Sequence, residues 1–585
     1  MKNFLIAICF CFSSASVNAE LKVHSVFGDN MVMQRGKQIQ VWGQTEPGQD
    51  VTVQFANQKI STTAKPDGKW TLTLNSMAAN ANPQTMKVVS AGQSIEFNNI
   101  LIGDVWLCGG QSNMEFELQK IYQGDVEIAS ARHKEIRLLT IPRAATRSRQ
   151  TNFEPLKEFN SWNGQYEDKG SWKVCSPESV RKFASIGYIF ARRLHLATGI
   201  PIGVIDNSVG GTTVEGWTSR ESLASIPEAK GLIKDWDQRI ADWDAEKDLA
   251  DRVTRWEADT KRRIDRGEKP RPKPTDLRPG PGLDRNNPGG SFNGMVACFA
   301  GFKLAGIIFH QGYNNALSDA RPRLYAKSFQ AMIQDWRNAF DEPNLPFGII
   351  ELCAGAEPQT PQNFELRMVD AGPYIREAQF KAYQELDNIG WACAYDQQVN
   401  WYHPQMKVML AERIARWALA NQYDLKIGHE PAMLLEHTVQ DNQIILTFDR
   451  ELTVRDGRPI AGMAIASGDK RFFPADATFV IKQKDNRGRD VMDFRRIQVS
   501  HPLVNTPVAV RYAWARCPLG NLTNRSHMER IIPVPSFRTD DWDWVEAPFG
   551  PDQRNTRRTI NEWRKAAREF IDDRMRREAE LQNNK

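Results

Sequence analysis

The sequence predicts an α/β fold in which a parallel sheet is covered by helices on both faces, with β-rich regions before and after it. First, buried apolar strands alternate with amphipathic helices between residues 102 and 422. Second, residues 20–100 and 428–541 alternate apolar and polar side chains between turns rich in Gly, Pro, Asn and Asp. Third, 585 residues are too many for a single hydrophobic core.

The first 19 residues predict a secretory signal peptide. Lys2 precedes an apolar run at residues 4–12, and small residues follow it up to Ala19. The apolar run is too short to cross a bilayer, and no later stretch is apolar enough to do so. We therefore expect cleavage after Ala19 and a secreted or periplasmic protein without a membrane span.

Residues 20–100 are predicted to form a β-sandwich-like domain. Segments such as IQVWGQTEPGQDVTVQF and GKWTLTL place apolar side chains at every second position. This period is typical of strands with one buried face.

Residues 101–231 and 291–427 are predicted to form the parallel sheet and its helices. IPIGVIDNSVGG and LAGIIFHQGYNNA are apolar strands that run into polar loops, and KFASIGYIFARRLHLATG has helical spacing that ends at Gly199. This alternation favours a parallel sheet with both faces covered. Ligand sites in such sheets lie beyond the carboxyl ends of the strands, so functional residues are expected in those loops.

The remaining segments are predicted to be peripheral. Residues 232–290 combine a charged helix with a proline-rich connector, a pattern that favours a solvated decoration over a substrate lid. Residues 428–541 predict a C-terminal β domain, either a second sandwich or a continuation of the first. Residues 542–585 predict a charged helical tail with little apolar face.

Charge and cysteine content exclude some classes of function. A net charge of +5 over this length gives no argument for nucleic-acid binding. Six cysteines follow the predicted signal, an even number that permits disulfides in an exported protein, although buried thiols are the alternative. No CxxC pair occurs, and we expect no metal site.

The segment GDVWLCGGQSNMEF, residues 103–116, contains the first candidate for catalysis. An apolar strand runs into Gly109, Gly110 and then Ser112. One interpretation is an ordinary turn in which Ser112 caps a short helix. The other is that Ser112 is a nucleophile and that the glycines clear space around it.

Three further loops supply what a serine nucleophile requires. NSVGGTTVEGW contains Gly210 and Gly211, HQGYNNA contains Asn315, and VNWYHPQMK contains His403. A serine hydroxyl needs a base, and histidine titrates near neutrality. Glycine N–H groups and an asparagine amide can bind an oxyanion. Each loop alone has a structural interpretation as a turn or a cap, but their combination favours a hydrolase.

These motifs resemble those of the sialate O-acetylesterase family, a branch of the SGNH hydrolases. GDVWLCGGQSNME resembles the first signature block, IPIGVIDNSVGGTTVEGW the glycine block and FNGMVACFAGFKLAGIIFHQGYNNA the asparagine block. HPQMK resembles the histidine block. The similarity covers roughly residues 21–541.

The resemblance implies an SGNH-type three-layer α/β/α parallel sheet flanked by N- and C-terminal β-sandwich domains. It also implies that Ser112 is the nucleophile and His403 its base. The oxyanion hole would be formed by the N–H of Ser112, the N–H of Gly211 or of its neighbour Gly210, and the side chain of Asn315.

Two departures from the family pattern concern the acid that should orient the histidine. The asparagine block usually reads W-Y-Q-G-E-S-N, whereas this chain has FHQGYNN with Tyr313 in place of the glutamate. The usual aspartate just before the histidine is also missing. Asn400, Asp396 or a backbone carbonyl could orient His403 instead, and the sequence leaves these alternatives open.

Amide and aromatic side chains are the expected contacts to substrate. The resemblance implies that Gln111 and Gln311 line the site, and aromatic rings offer flat apolar surfaces for sugars. These rings are Tyr313, Trp401 and Tyr402, together with Trp106 and Trp217. Core packing is the alternative for the aromatic residues, above all for Trp106.

The sequence thus predicts an exported serine carbohydrate esterase that removes acetyl groups from sugar hydroxyls through an acyl-enzyme, without a cofactor. Its expected partner is an acetylated glycan, and its oligomeric state stays open. One alternative is a catalytically degenerate homologue that binds carbohydrate. Another is a hydrolase for a plant or algal polysaccharide ester, for which arginine-lined walls would suit an acidic glycan.

Overall fold

The chain is described by a computed structural model that covers residues 20–160, 164–317, 322–397, 399–542 and 553–583. The predicted signal peptide lies outside these described residues. Among the helices that the structure describes, none has the length and apolar character needed to cross a membrane.

The N-terminal region consists of short strands and one long strand. They are β1 (Lys22–Val23), β2 (Val32–Gln34), β3 (Ile39–Gln44), β4 (Asp50–Phe55), β5 (Gln58–Thr63), β6 (Lys69–Leu74), β7 (Asn80–Ser90) and β8 (Gln93–Gly110). Along β6, Trp70, Leu72 and Leu74 are buried while their neighbours are exposed, as the alternating sequence predicts. β8 pairs with β7 at its start and runs on into the central sheet, so the predicted boundary at residue 100 lies inside one strand.

The central region alternates strands and helices. Its strands are β9 (Ile136–Thr140), β10 (Leu156–Asn160), β11 (Gln165–Lys169), β12 (Lys173–Val174), β13 (Ile202–Ser208), β14 (Gly306–His310), β15 (Phe347–Ile350) and β16 (Ile389–Ala392). Its helices are α1 (Ser112–Glu115), α2 (Gly124–Ser130), α3 (Pro177–Val180), α4 (Ser185–Thr198), α5 (Val214–Trp217), α6 (Arg220–Ala224), α7 (Lys230–Ala241), α8 (Ala245–Asp265), α9 (Tyr313–Leu317), α10 (Pro322–Ala339), α11 (Phe364–Met368), α12 (Gly372–Glu385) and α13 (Lys407–Gln422).

The central strands form one path in the order β12-β9-β13-β8-β14-β15-β16. The pairs from β9 to β16 are parallel, and only the edge pair β12–β9 on this path is antiparallel among the described strands. With β2, β4, β5 and β7 of the N-terminal region, these strands make an eleven-stranded mixed sheet within the described residues. The predicted α/β class with a large sheet is confirmed.

Helices pack against both faces of the parallel strands. Trp106 and Cys108 of β8 join a core cluster with residues of α4 and α13. Val105 and Leu107, on the opposite face, join a cluster with residues of α10 and α12. The long apolar runs of the sequence are explained by this two-sided burial.

Two helices show how local sequence sets these elements. α4 ends where Gly199 takes a positive φ of 69°, as the sequence predicts for a C-terminal glycine. On α13, Trp417 lies against the sheet, and a Cβ at Gly390 of β16 would come 2.1 Å from its ring. A larger residue at 390 would therefore push α13 off the sheet.

The insertion differs from the prediction of one helix. The segment forms two helices, α7 and α8, separated by a short non-helical stretch. Asp244 is the N-cap of α8, and its side chain accepts hydrogen bonds from the N–H groups of Glu246 and Lys247. The end of the connector does not stay in solvent. The Asn286 side chain bonds to Gly211 and Thr213 of the glycine loop.

The C-terminal region contains antiparallel sheets and a final helix. These elements are β17 (Leu434–Gln440), β18 (Gln443–Phe448), β19 (Leu452–Val454), β20 (Met463–Ala466), β21 (Phe472–Pro474), β22 (Asp476–Lys484), β23 (Asp490–Ser500), β24 (Ala509–Tyr512), β25 (Leu522–Asn524), β26 (Phe537–Arg538) and α14 (Gln553–Asn583). Within the tail, α14 is anchored where Nε of Arg574 donates to Glu365 at 2.6 Å. The six cysteines of the described chain are all buried and free, so the buried-thiol alternative is confirmed.

His24 offers a test of the packing between the N-terminal strands and the central region. Its Nδ1 accepts from the N–H of Val26 at 3.1 Å, so Nε2–H donates to the carbonyl of Cys298 at 2.7 Å. Burial lowers the pKa of His24 to about 4. An unfolded histidine titrates near pH 6.5, so between that pH and about 4 only the unfolded chain gains this proton.

We therefore expect His24 to reduce the free energy of unfolding by roughly 1.4 kcal/mol for each pH unit below 6.5, down to about pH 4. Denaturant unfolding at pH 7 and pH 5 measures this loss in the wild type, in His24→Gln and in His527→Gln, whose histidine is exposed. The loss should shrink in His24→Gln only. An equal loss in all three proteins would show that His24 is not responsible.

Candidate active site

The loop that carries Ser112 leaves the sheet at the end of β8 and forms α1 at once. Ser112 is 8% exposed. A Cβ on Gly110 would lie 2.2 Å from the carbonyl oxygen of His310, and one on Gly109 would lie 2.6 Å from the ring of Trp336. The two glycines therefore let β14 and α10 approach β8. That they also clear space around Ser112 stays a prediction.

The glycine loop after β13 contacts Ser112 directly. A Cβ on Gly210 would lie 3.3 Å from the Cβ of Ser112 and 3.0 Å from Oε2 of Glu115. The N–H of Gly210 donates to that same oxygen at 2.7 Å, and Arg143 pairs with the other carboxylate oxygen. Gly210 is thus a close-approach position whose N–H is already bonded.

Two other N–H groups are open to a ligand. Among the described residues, the N–H groups of Ser112 and Gly211 donate to no acceptor of the chain. The carbonyl of Gly211, in contrast, accepts from Asn286 at 3.0 Å and from Asn314 at 2.5 Å. Of the backbone donors predicted for an oxyanion, Ser112 and Gly211 therefore remain available.

Asn315 is fully buried and holds the loops together. Its Oδ1 accepts from the N–H of Val214 at 3.0 Å and from Nε2 of Gln311 at 2.8 Å, and its Nδ2 donates to Glu215 at 3.0 Å. Its predicted role as an oxyanion donor remains a prediction. Its half-buried neighbour Asn314 donates to the carbonyl of Gly211 in the glycine loop.

The two glutamines predicted to line the site, Gln111 and Gln311, are almost completely buried. Gln111 accepts from the N–H of Gly312 at 3.1 Å through Oε1, and its own N–H donates to His310 at 3.1 Å. Gln311 donates to Thr212 at 3.1 Å as well as to Asn315. Both side chains thus bind neighbouring loops to one another.

His403 lies beside the Ser112 loop and is 2% exposed. Its ring stacks on Phe116 with centroids 5.5 Å apart and lies 4.3 Å from the ring of Tyr402. Nδ2 of Asn113 donates to the carbonyl of Tyr402 at 3.0 Å. The residue after Ser112 is therefore bonded to the residue before His403, although they are separated by 289 positions.

Burial and nearby cations keep His403 neutral. Burial lowers its pKa to about 3, and the ammonium groups of Lys407 and Lys120 add to that effect. At neutral pH the imidazole is therefore unprotonated, as a general base must be.

The structure gives the two residues proposed to orient His403 different surroundings. Both carboxylate oxygens of Asp396 bind Arg413, at 2.7 and 2.8 Å, and Arg455 also pairs with it. Asn400 is exposed. The carboxylate of Asp396 thus binds two guanidinium groups. Which group orients His403 stays open.

Aromatic rings form an exposed wall next to His403. Trp401 and Tyr402 are 41% and 50% exposed, and the rings of Tyr313 and Tyr402 lie 5.9 Å apart. Trp106 and Trp217 are fully buried, which confirms core packing for them and excludes them as sugar platforms.

Comparison with known proteins finds similarity to carbohydrate esterases. A family model described as carbohydrate esterase, sialic acid-specific acetylesterase, matches residues 292–397. Sialate O-acetylesterases from Mus musculus and Homo sapiens are 23% and 22% identical to the chain, over 90% and 91% of its length and 95% of theirs. A carbohydrate acetylesterase structure from Xanthomonas citri matches with a TM-score of 0.69 and 26% identity, over 89% of this chain and all of that one.

The predicted resemblance to the sialate O-acetylesterase family is confirmed by this family model and these relatives. The chain is therefore an esterase, as the sequence predicts. Where the family pattern W-Y-Q-G-E-S-N has a glutamate, this chain has Tyr313. The hydroxyl of Tyr313 donates to the carbonyl of Gly355 at 2.8 Å. The substitution thus anchors the asparagine block to the loop after β15. No group of three or more His, Cys, Asp and Glu suited to a metal occurs in the described ranges.

Several residues around Ser112 and His403 were missed from the sequence. Glu115 and Asn113 follow Ser112 in the quoted segment but read as ordinary helix residues. Arg285 lies in the insertion, where a Cβ on Gly211 would come 2.9 Å from its Nη2. Lys407 is the last residue of the histidine block HPQMK, and only the structure shows that it is buried.

The close approach of Gly210 to Ser112 gives a direct test of the site. Gly210→Ala would place a methyl group 3.0 Å from Glu115 and 3.3 Å from Ser112, so one of them has to move. We expect kcat/KM for an activated acetyl ester to fall about tenfold or more, because small displacements of reacting groups are costly. Gly231→Ala on α7 meets no atom within 4 Å and is the matched control. Equal rates for both variants would contradict the assignment of this surface to the site.

Proposed function

We propose that the chain is an exported serine carbohydrate esterase that removes O-acetyl groups from sugars through an acyl-enzyme. The observation that carries the proposal is the meeting of the Ser112, glycine and His403 loops at one edge of the sheet. Gly210 borders Ser112, and Asn113 is bonded to Tyr402. An SGNH-type three-layer core with flanking β domains accords with the strand order and the two-sided helix packing.

In the proposed reaction, Oγ of Ser112 attacks the acetyl carbonyl while His403 takes the hydroxyl proton. The N–H groups of Ser112 and Gly211 donate to the oxyanion that forms. The intermediate then expels the sugar oxygen, which receives the proton from His403. Water attacks the acetyl-serine in the second half, His403 again accepts a proton, and acetate and free serine are released.

The signal-like N-terminal sequence supports export to the periplasm or the medium. The exposed rings of Trp401 and Tyr402 suit the apolar face of a sugar ring. An acetylated glycan is accordingly the proposed substrate, and the sialate O-acetylesterase relatives make an acidic sugar one candidate.

Arg285 supports an acidic substrate. Its side chain is exposed, lies against Gly211, and has no carboxylate partner within the described part of the chain. Glycine at 211 permits this approach because a side chain would occupy the position of the guanidinium. A free guanidinium can bind a substrate carboxylate through two parallel hydrogen bonds.

Ser112→Ala tests the nucleophile. We expect acetate release from acetylated sugars to fall to the uncatalysed background, and labelling by a fluorophosphonate probe to disappear, because the variant lacks the hydroxyl that is proposed to form the acyl-enzyme. Ser225→Ala, which removes an exposed hydroxyl, is the control and should keep wild-type activity. If the wild type neither releases acetate nor reacts with the probe, a catalytically degenerate carbohydrate-binding homologue replaces this proposal.

Arg285→Gln tests the charge of the substrate. We expect KM for a carboxylate-bearing acetylated sugar to rise roughly tenfold or more, since a hydrogen bond to a charged group is worth about 1.5–3 kcal/mol. The KM for a neutral acetylated sugar should stay the same. Arg271→Gln, an exposed arginine of the same insertion, is the control. An equal change for both sugars would rule out a carboxylate contact.

A further inference from the structure

Lys407 is a buried lysine behind the loops that carry Ser112 and His403. It is the first residue of α13, and its side chain is fully buried. Among the residues that the structure describes, no carboxylate forms an ion pair with its Nζ. A buried cation without a carboxylate is costly, so the contacts of its ammonium group have to compensate.

The first contact is a chain of hydrogen bonds. Nζ of Lys407 donates to Oδ1 of Asn113 at 2.5 Å, and Nδ2 of Asn113 donates to the carbonyl of Tyr402 at 3.0 Å. Because an ammonium group can only donate, it fixes which end of the Asn113 amide faces Tyr402. Asn113 follows Ser112 and Tyr402 precedes His403, so this chain ties both loops to α13.

The second contact passes through an aromatic ring. Nζ of Lys407 lies 5.4 Å from the ring centroid of Phe116, a cation–π distance. The same phenyl ring stacks on His403, with an angle of 28° between the planes. Phe116 also belongs to the segment after Ser112, so Lys407 holds the backbone and the ring against which His403 packs.

We propose that Lys407 is a positioning residue that holds the Ser112 and His403 loops in productive register through Asn113 and Phe116. The proposal rests on the esterase function proposed above. Lys407 is fully buried, and it acts through Asn113 and Phe116, which neighbour the reacting side chains.

The charge of Lys407 adds an electrostatic signature to this role. Burial lowers the pKa of Lys407 to about 8, against the opposing effect of the Cys353 thiol, so the group is charged at neutral pH. Its ammonium also contributes to the lowered pKa of His403. The other titratable or charged groups that face this cluster are Lys120 with its partner Glu117, His310, Cys353, Glu351 and Arg376.

The sign of the expected pH effect follows. His403 has to be neutral to accept a proton, so activity is lost on the acid side as the imidazole becomes protonated. Removal of the Lys407 charge raises the pKa of His403, and the acid limb of the rate profile then moves to higher pH. A residue with a purely structural role would lower the rate without moving this limb.

The test compares Lys407→Met, Asn113→Ala and the double variant, with Lys381→Met, an exposed lysine of α12, as control. The probe is 4-nitrophenyl acetate, and kcat and KM are measured from about pH 2 to pH 9, so that the range includes the acid limb set by the His403 pKa of about 3. We expect each single variant to lower kcat about tenfold or more with little change in KM. The double variant should be no slower than the slower single variant, because both changes break the same chain of contacts. Only Lys407→Met should shift the acid limb.

Losses that multiply in the double variant, or an acid limb that Lys407→Met leaves in place, would overturn the proposal. Should Lys407→Met fail to fold, Asn113→Ala decides: wild-type kcat in that variant refutes the role.

A crystal structure of Lys407→Met gives a readout that needs no activity. We expect the Asn113–Tyr402 bond to break and His403 to shift, and an unmoved loop refutes the role. A wild type without Ser112-dependent acetate release refutes the esterase proposal instead, and the crystal structure still decides the role of Lys407.

Discussion

The site depends on the pairing of β8 with a parallel strand on each side. Gly110, the last residue of β8, lies opposite Ser208 of β13 and His310 of β14. Since the three strands end at the same level, the loops that follow them start together and meet above the edge of the sheet. A shift of one residue in either register would turn the side chains of that strand to the opposite face and separate these loops.

The charges around the proposed site differ from those of a Ser–His–Asp system. In a Ser–His–Asp system a carboxylate stabilises the imidazolium that forms during the reaction. Here Asp396 is bound by arginines, and the charged groups that act on His403 are the cations Lys407 and Lys120. Under the proposed mechanism, such an environment favours the negative oxyanion over the positive imidazolium. The carboxylate of Glu115, which borders the glycine loop, is engaged by Arg143 and by the N–H of Gly210.

Much of the fold could be predicted because its signals are local. The apolar runs of β13 and β14 and the glycine that ends α4 lie within a few residues of the features they set. The role of Lys407 could not be predicted in this way, since its partner Asn113 is 294 positions away. The pairing of Asp396 could not be predicted either. From the sequence this acid at a strand end is a candidate partner of His403, but in the structure it pairs with Arg455, which is 59 positions away. The family blocks located the site loops, but the blocks do not encode which side chains of those loops are engaged by neighbours.

The continuity of β8 bears on how this architecture can be rearranged. The strand begins at Gln93 as an antiparallel partner of β7 and ends at Gly110 as the middle of the parallel set. Leu101 and Ile102, near its midpoint, also pair with Val32 and Met33 of β2. The N-terminal region is therefore no exchangeable module with a linker at its end. A chimaera joined near residue 100 would replace half of a single β-strand, whereas a junction in the turn between β7 and β8 would keep that strand whole.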